Sequence, residues 1–504
     1  MVNRILYKIL CTLLVMNCWC LAREIAQIRA VDPVYHAGTF QEVQIRGTLI
    51  DEGSEIRGPQ GKSIAVSANG EAIAVIYGAP TTDPNNYIKV MIAYSTDFGV
   101  CWIQYGPFST FLMRIYPGVD GSPNFDSNPG ELYFVWQETP YGYDWCDLKC
   151  MIEENVPAAP TFPSPISMPH AFTLCMWFPS IAVSKDDPYS VIVTAWSYLS
   201  NGNQGVYCWV TNDGGYIWSD SIRMIDFIEG GPGHIRWGSG DYIFYNFLDT
   251  YDWHGSSIIY PHYVESTDGG WTWSQPAAMP EVPLLDPLNA QFWRTEMDCE
   301  VINDEPWVVH HDLNGANPDS AGFWIFHAEG SPGNWSWEMY DINELGVCST
   351  RVSDTLFYCS PVQYPSVAYD PVSNTVLIAY LADFLKINGT DTLYAGPHIG
   401  GIYSVDNGAT WTISAPLCET HINEISWDEW GATEVAHRLV NTDAVNTDSG
   451  VYSYAVCQRN LDIYFEKGLV RPFVLLGIDE HSNSAVYVQL HAAPTISRDK
   501  CAIR

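Results

Sequence analysis

Short apolar runs recur along the chain and are separated by polar turns. Each run is short, rich in β-branched or aromatic residues, and bounded by Gly, Asp, Asn or Pro, which is typical of β-strands. Seven such runs begin near Ile73, Leu132, Val191, Tyr242, Trp307, Val376 and Tyr452. After residue 22, no stretch shows a sustained helical period. We therefore expect an all-β protein with very little helix.

An eight-residue motif, S/T-x-D-x-G-x-x-W, occurs four times between the apolar runs. The Asp can accept hydrogen bonds from backbone N–H groups within its own turn, and the Gly can adopt a positive φ. The Trp begins the next strand with a large buried ring. We name these segments the four aspartate turns, which span Ser95–Trp102, Thr211–Trp218, Ser266–Trp273 and Ser404–Trp411.

The spacing of these turns indicates a repeated unit. The intervals between their Trp residues are 116, 55 and 138 residues, which fit multiples of a unit of about 55–70 residues, the size of a four-stranded propeller blade with its loops. A degenerate copy lies at Gly333–Trp337, and a second repeat lies at Ser63–Val66, Pro179–Val183 and Pro365–Tyr369. Taking the seven apolar runs as inner strands, we predict a β-propeller of four-stranded blades, with seven blades favoured and six possible.

The aspartate turns resemble the Asp-box of sialidases and related β-propellers. Sialidases proper have six blades, bind the substrate carboxylate with three arginines, and use a Tyr–Glu nucleophile with an Asp as acid/base. The resemblance implies that Arg57 stands at the place of the first arginine and Asp120 at that of the acid/base. The stretch Tyr77–Asp83, where the family has its next arginine, contains no basic residue. Later arginines that could complete a cluster are Arg236, Arg294, Arg351 and Arg438.

A different glycoside hydrolase would need two carboxylates across the sugar, one of them with a raised pKa. Candidates beside aromatic residues are Glu138, Asp249, Asp252, Glu296, Asp298, Asp428 and Glu429. The segment His310–Asp312 suggests a metal site, but adjacent side chains of a strand point to opposite faces, so the two histidines are not expected to bind one ion together. The catalytic pair therefore stays open at this stage.

The acidic composition limits the partners. The formal net charge is −35, which argues against binding nucleic acid or an anionic membrane surface. Aromatic residues make up 14% of the chain, as suits flat rings that fill the space between blades. We expect no cofactor; the metal ligands are unknown, and calcium held by an acidic loop such as Asn441–Asp448 is the alternative.

The N-terminus has the pattern of a signal peptide. Arg4 and Lys8 precede an apolar stretch from Ile9 to Leu21, with a small residue, Ala22, at a plausible cleavage site. We therefore predict a signal peptide at 1–22, an N-terminal segment at 23–54, a propeller at 55–490 and a tail at 491–504. An uncleaved anchor is the alternative. The segment 23–54 and Ser482–Ala493 are candidates for strands that close the ring.

Cysteine usage fits export but leaves the pairing open. Of 14 cysteines, three lie in the signal peptide, so an odd number remains. Cys146 and Cys150 could close a small loop if the turn brings their Cα atoms within reach. Cys101 and Cys208 stand in strand-like contexts and are interpreted as small buried hydrophobic residues.

Three functional classes follow from the sequence. We favour a secreted or cell-surface propeller that binds a glycan or an extracellular protein through loops at its funnel face. The alternatives are a sialidase-like glycoside hydrolase and a structural cell-surface module. A propeller supports all three classes, so the fold does not choose among them, and the oligomeric state stays open.

Overall fold

The structure is a computed structural model. It describes residues 41–46, most of 62–413, and residues 433–435, 440–442, 450–459 and 462–472. Within 62–413, the stretches that lie outside the described residues are 81–87, 109–116, 123–124, 126–129, 139–145, 157–159, 198–204, 227–230, 232, 283–289, 315–321, 343–344, 346–347, 353–354 and 389–390.

The regular secondary structure of the described residues is almost entirely β-strand, as the sequence predicts. The strands are β1 Gln41–Arg46, β2 Ile64–Val66, β3 Ile73–Pro80, β4 Ile88–Ser95, β5 Ile103–Tyr105, β6 Gly118–Gly121, β7 Gly130–Glu138, β8 Asp147–Val156, β9 Ile166–Ser167, β10 Met176–Val183, β11 Val191–Ser197, β12 Gly205–Thr211, β13 Ile222–Ile225, β14 Ile235–Trp237, β15 Ile243–Trp253, β16 Ser256–Ser266, β17 Ala277–Ala278, β18 Ala290–Ile302, β19 Glu305–Asn314, β20 Gly322–Ser331, β21 Asn334–Asp341, β22 Cys348–Val352, β23 Thr355–Asp370, β24 Thr375–Asn388, β25 Asp391–Ser404, β26 Thr412–Ile413, β27 Thr433–Val435, β28 Val440–Thr442, β29 Gly450–Arg459 and β30 Asp462–Pro472.

Helix is confined to short turns in the described residues. The helix α1 spans Ala171–Leu174, a single turn that precedes β10. Among the described residues, no helix is long and apolar enough to cross a membrane.

The strands form six hydrogen-bonded sheets, arranged as a β-propeller. Antiparallel meanders account for β2–β5, β6–β9, β10–β13 and β22–β26, and another sheet combines β27–β30 with β1. The largest sheet has eight strands and contains two meanders, β14–β17 and β18–β21. A parallel pair, Ile259 with Gln291, joins them. The predicted propeller of four-stranded blades is therefore confirmed.

The structure has six sheets, which is within the predicted range of six or seven blades, because the meanders β14–β17 and β18–β21 share one sheet. The seven apolar runs occupy a different place from the one predicted. They lie in or directly before β3, β7, β11, β15, β19, β24 and β29, each of which is paired with strands on both sides rather than standing at the inner edge of its sheet. Such a strand is also covered on both faces, so a continuous apolar run suits it.

The N-terminal part of the described chain pairs with the C-terminal part. The strand β1 is antiparallel to β30, with Gln41 opposite Lys467 and Arg46 opposite Ile463. A segment of 23–54 thus adds the outer strand of the last meander, whereas Ser482–Ala493 lies outside the described residues. Between neighbouring meanders, apolar side chains form the core in clusters such as that of Ile76, Tyr94, Phe134 and Trp136.

Candidate functional site

The meanders give the propeller two different ends. Because consecutive strands run antiparallel, the connections of a meander alternate between its two ends. The aspartate turns connect β4–β5, β12–β13, β16–β17 and β25–β26, and they lie at the same end as the connections β2–β3, β10–β11, β14–β15 and β23–β24. We call their end the turn end and the opposite one the loop end.

All four aspartate turns share one hydrogen-bond pattern. In the third turn, the Ser266 hydroxyl donates to Asp268 Oδ1 (2.8 Å), and Asp268 Oδ1 accepts the Thr272 N–H (2.9 Å). The Gly270 N–H donates to Ser266 Oγ at 2.9 Å. The equivalent bonds recur in the other three turns. Each motif carboxylate therefore accepts hydrogen bonds from its own turn.

The motif glycines also fix neighbouring meanders to one another. Gly99, Gly215, Gly270 and Gly408 have φ between 83° and 93°. A Cβ added at these positions would collide with Phe465, Ile152, Ile192 and Trp307 respectively. In every case the contacted residue belongs to the preceding meander of the ring. The aspartate turns are thus structural contacts at the turn end and leave substrate chemistry to other residues.

A cluster of buried charged residues occupies the axis of the propeller, and we call it the axial cluster. At its centre, Oδ1 of Asp298 on β18 accepts a hydrogen bond from Arg236 Nη2 at 2.9 Å. Its Oδ2 lies 2.9 Å from Lys62 Nζ and accepts from the Ser366 hydroxyl (2.8 Å) and the Val367 N–H (3.0 Å). One carboxylate therefore ties together residues beside or within β2, β14, β18 and β23.

A second carboxylate extends the cluster toward the turn end. Glu300 follows Asp298 by two residues, so both side chains lie on one face of β18. Glu300 Oε1 lies 3.0 Å from Lys185 Nζ, and Oε2 lies 3.6 Å from Arg236 Nε. Burial lowers the pKa of Lys62 from its ordinary value, against the opposing effect of Asp298. Apart from Lys185, these charged side chains are almost wholly buried.

Asp120 lies beside this cluster on β6. Its Oδ2 accepts the Val183 N–H of β10 at 2.9 Å, and its Oδ1 accepts the Gly121 N–H at 2.9 Å. Burial raises the pKa of Asp120 to about 6, against the lowering effects of the Val183 N–H and the Arg236 charge. Asp120 therefore combines a proton affinity suited to an acid/base with contacts suited to joining two inner strands.

The axial cluster holds carboxylates, but each has protein partners. The oxygens of Asp298 and Asp120 all accept hydrogen bonds from the chain, and Asp298 and Glu300 are each 3% exposed. A glycosidase instead needs two carboxylates that face a sugar across an open site. The geometry of Asp298 and Glu300 thus fits a buried ionic link between strands.

The loop end carries a different arrangement at the tip of the β15–β16 hairpin. The Tyr251 hydroxyl donates to Glu281 Oε1 at 2.9 Å, and Glu281 Oε2 lies 3.6 Å from His254 Nε2. The Tyr251 ring packs against Tyr260, with centroids 5.2 Å apart, and meets His262 edge-on at 6.2 Å. Glu281 and His254 are exposed, and Tyr251 is half-buried. We call Tyr251, His254 and Glu281 the hairpin-tip group.

One group of described residues has the spacing of cation ligands. A ring nitrogen of His327 and carboxylate oxygens of Glu329 and Glu338 lie within 4.8 Å of one another, because His327 is the register partner of Glu338 and precedes Glu329 by two residues. His327 Nε2 also lies 3.3 Å from Glu305 Oε2, and both Glu329 and Glu338 are exposed. The predicted calcium loop Asn441–Asp448 lies largely outside the described residues.

The structure brings together some predicted residues and leaves others apart. Arg236 and Asp298 meet in the axial cluster, next to Asp120, whereas Arg57, Arg438, Asp428 and Glu429 lie outside the described residues. Side-chain contacts of Arg294, Glu296 and Arg351 are likewise not described.

The other predicted carboxylates and histidines have local partners. Glu138 accepts a hydrogen bond from the Trp136 indole N–H (3.0 Å). Asp249 accepts one from the Thr250 N–H (2.8 Å), and Asp252 accepts one from the Gly255 N–H (2.8 Å). His310 lies 3.2 Å from the Asn246 amide, whereas His311 stacks on Phe323. The two histidines therefore have separate surroundings, as their adjacent positions on a strand predict.

The sequence reasoning missed Lys62, Lys185 and Glu300. A usable signal was present for Lys62, which immediately precedes the repeated Ser63–Val66 segment and so stands at the axis. Glu300 has the two-residue spacing from Asp298 that places acids on one strand face. Lys185 gave no such signal, because its partner is 115 residues away in the chain.

Comparisons with solved structures return β-propellers with low sequence identity. A polysaccharide lyase described as an ulvan lyase shares 9% identity, over 86% of this chain and 98% of its own, with a TM-score of 0.45. The leech intramolecular trans-sialidase shares 12% identity over 68% of this chain and 70% of its own, with a TM-score of 0.38. The α-L-arabinanase of Penicillium chrysogenum shares 12% identity, over 71% of this chain and 93% of its own, with a TM-score of 0.41. At these identities and TM-scores, the likenesses say nothing about which reaction, if any, this chain performs.

Known families and curated proteins give no further match. No family profile matches the chain. No curated protein matches it either.

Proposed function

We propose that this chain is an exported, non-catalytic propeller that binds carbohydrate at its loop end. The observation that carries the proposal is the hairpin-tip group, in which a tyrosine ring, a carboxylate and an imidazole converge at the end opposite the aspartate turns. Loops at one end of a rigid scaffold are where binding residues are usually placed.

The chemistry of the hairpin-tip group suits a sugar. The face of a tyrosine ring offers apolar area to sugar C–H groups, while its hydroxyl keeps a polar partner. The Glu281 carboxylate accepts hydrogen bonds, and His254 can donate or accept them. Packing of Tyr251 against Tyr260 and His262 fixes the ring before a ligand arrives, which lowers the entropy cost of binding.

A glycan array with the purified mature protein tests this proposal. We expect Tyr251→Ala to weaken binding to the best glycan by about tenfold or more, a difference of roughly 1.4 kcal/mol. Tyr216→Ala is the matched control, because Tyr216 is an exposed tyrosine whose hydroxyl also donates to a glutamate, Glu154, at 2.7 Å, but at the turn end. Equal effects of the two substitutions, or binding only to proteins without glycans, would contradict the proposal.

A sialidase-like hydrolase is the second candidate, and the raised pKa of Asp120 favours it. A carboxyl that titrates near 6 can donate a proton to a leaving group at neutral pH. A fluorogenic sialoside, assayed with and without calcium beside other aryl glycosides, separates the candidates. Turnover of the sialoside that disappears in Arg57→Ala and Asp120→Ala would support the hydrolase and contradict the binding proposal. No turnover on any substrate would support the binding proposal.

A further inference from the structure

Two buried cysteines lie side by side at the loop end. Cys146 immediately precedes β8, and Cys175 stands between α1 and β10. Their sulfur atoms are 2.6 Å apart, although the residues are separated by 29 positions in the chain. That separation is too short for two thiols in simple van der Waals contact, whose carbon-like radii would hold them beyond about 3.5 Å. Cys146 is 0% exposed and Cys175 is 5% exposed.

The backbone at Cys175 points in the same direction. Cys175 has a φ of 50°, in the left-handed region that non-glycine residues seldom adopt. Such a conformation persists only where the surroundings determine it strongly. A covalent bond from Cys175 to the start of β8 would supply that constraint.

We propose that Cys146 and Cys175 form a disulfide bond that joins two neighbouring meanders of the propeller at the loop end. The predicted pair Cys146–Cys150 is replaced by this pairing. Cys150 is instead a buried residue within β8, opposite Val135 of β7. The bond would tie the end of the β7–β8 connection to the residue immediately before β10.

The bond requires an external disulfide as oxidant. The thiolate of one cysteine attacks a small-molecule or protein disulfide and forms a mixed disulfide, releasing one thiol of the carrier. The second cysteine then attacks the mixed disulfide, forms the Cys146–Cys175 bond and releases the other carrier thiol. The two protein thiols lose two electrons and two protons, and the carrier gains them.

This chemistry belongs to folding rather than to the folded state. Burial raises the pKa of the Cys146 thiol far above its ordinary value, so the folded protein contains almost none of the thiolate that exchange requires. The bond therefore forms before the site closes, in an oxidising compartment. Once formed, it resists exchange with external thiols until the protein unfolds.

Peptide mapping of protein secreted from a eukaryotic or periplasmic host tests the proposal. Free thiols are alkylated in denaturant without reductant before digestion. We expect a linked peptide containing Cys146 and Cys175, while Cys150 is alkylated. Mapping is preferable to intact mass, because it identifies which cysteines are linked. Recovery of both Cys146 and Cys175 as alkylated peptides would overturn the proposal.

A second measurement gives an answer even if single variants fold poorly. Unfolding of the secreted wild type in urea should shift to a lower midpoint when a strong reductant is present. In the double variant Cys146→Ser/Cys175→Ser, we expect most of this shift to be lost. Cys208→Ser is the matched control, since Cys208 is buried and its thiol donates to the Gly270 carbonyl at 3.6 Å. The shift should remain in this control, and its full persistence in the double variant would reject the bond.

Discussion

The four aspartate turns and the axial cluster both use carboxylates to hold the propeller together, but over very different distances in the chain. In a turn, Asp268 forms hydrogen bonds with residues two to four positions away, such as Ser266 and Thr272. In the axial cluster, Asp298 contacts Arg236, 62 positions before it, and Ser366, 68 positions after it. The turn aspartates are half-buried or exposed, whereas Asp298 is buried.

This difference has an energetic consequence. Water can solvate the groups that a lost turn carboxylate leaves behind, so the cost is limited to the unmet hydrogen bonds. Removal of one member of a buried ion pair leaves an uncompensated charge in the interior, which is strongly destabilising. The two sites should therefore respond very differently to the same truncation.

The largest expected effect comes from Asp298→Ala. This substitution leaves Lys62 and Arg236 without their closest carboxylate, and we expect the free energy of unfolding to fall by about 3–5 kcal/mol. The matched change Asp268→Ala should cost roughly 1–3 kcal/mol and leave the ligand preference unchanged. Urea denaturation of both variants measures the difference.

Two outcomes would contradict this comparison. An Asp298→Ala variant no less stable than Asp268→Ala would show that the buried ion pairs contribute little. A changed glycan preference in a folded Asp268→Ala variant would show that the aspartate turns do more than maintain the scaffold.

A smaller effect separates the two glycines within one turn. Gly269 and Gly270 have φ values of 73° and 93°, so alanine at either should cost about 1–2 kcal/mol for the left-handed conformation. Only at Gly270 would the new Cβ approach another meander, at 2.7 Å from Ile192 Cδ1, compared with 3.6 Å to Asp241 Oδ1 at Gly269. Gly270→Ala should therefore lose an additional amount of about 1–3 kcal/mol. Equal urea midpoints for the two variants would contradict a stabilising contact between Gly270 and the neighbouring meander.

The smallest expected effect concerns pH and Asp120. Its folded pKa of about 6 is above the usual value of about 4 in an unfolded chain, so the folded state binds this proton more tightly. The corresponding stability is fully present below about pH 4 and is lost as the pH rises through about 6. In Asp120→Asn, which cannot ionise, the loss of stability between these pH values should be smaller than in the wild type. Parallel curves of urea midpoint against pH would show that Asp120 is not the titrating group.

The same contrast explains what could be predicted from the sequence. Ser266, Asp268 and Gly270 act within one octapeptide, so their pattern is visible in the sequence and gave the fold. The sequence marks Asp298 only as an acidic residue near an aromatic one, because nothing local to it indicates the positions of Arg236 or Lys62. Cys146 was paired with its near neighbour Cys150 for the same reason, whereas its sulfur lies against Cys175.

The count of sheets depended on a single long-range pairing. Each meander was visible as an apolar run with its turns, but the pair Ile259–Gln291 joins two meanders into one sheet. The segment between β17 and β18 contains no repeat that would indicate such a parallel contact. Similarly, the hairpin-tip group requires that Glu281 lie beside Tyr251, and the two residues are 30 positions apart in the chain.

The pairing of β1 with β30 has a consequence for how the protein is made. The first described strand leaves the ribosome early, but its partner becomes available only after residue 472 has been synthesised. Until then β1 has no partner in the sheet and is an unpaired strand to which other chains could pair. Completion of the ring therefore waits for nearly the whole polypeptide, and a nascent chain stopped short of β30 cannot complete it.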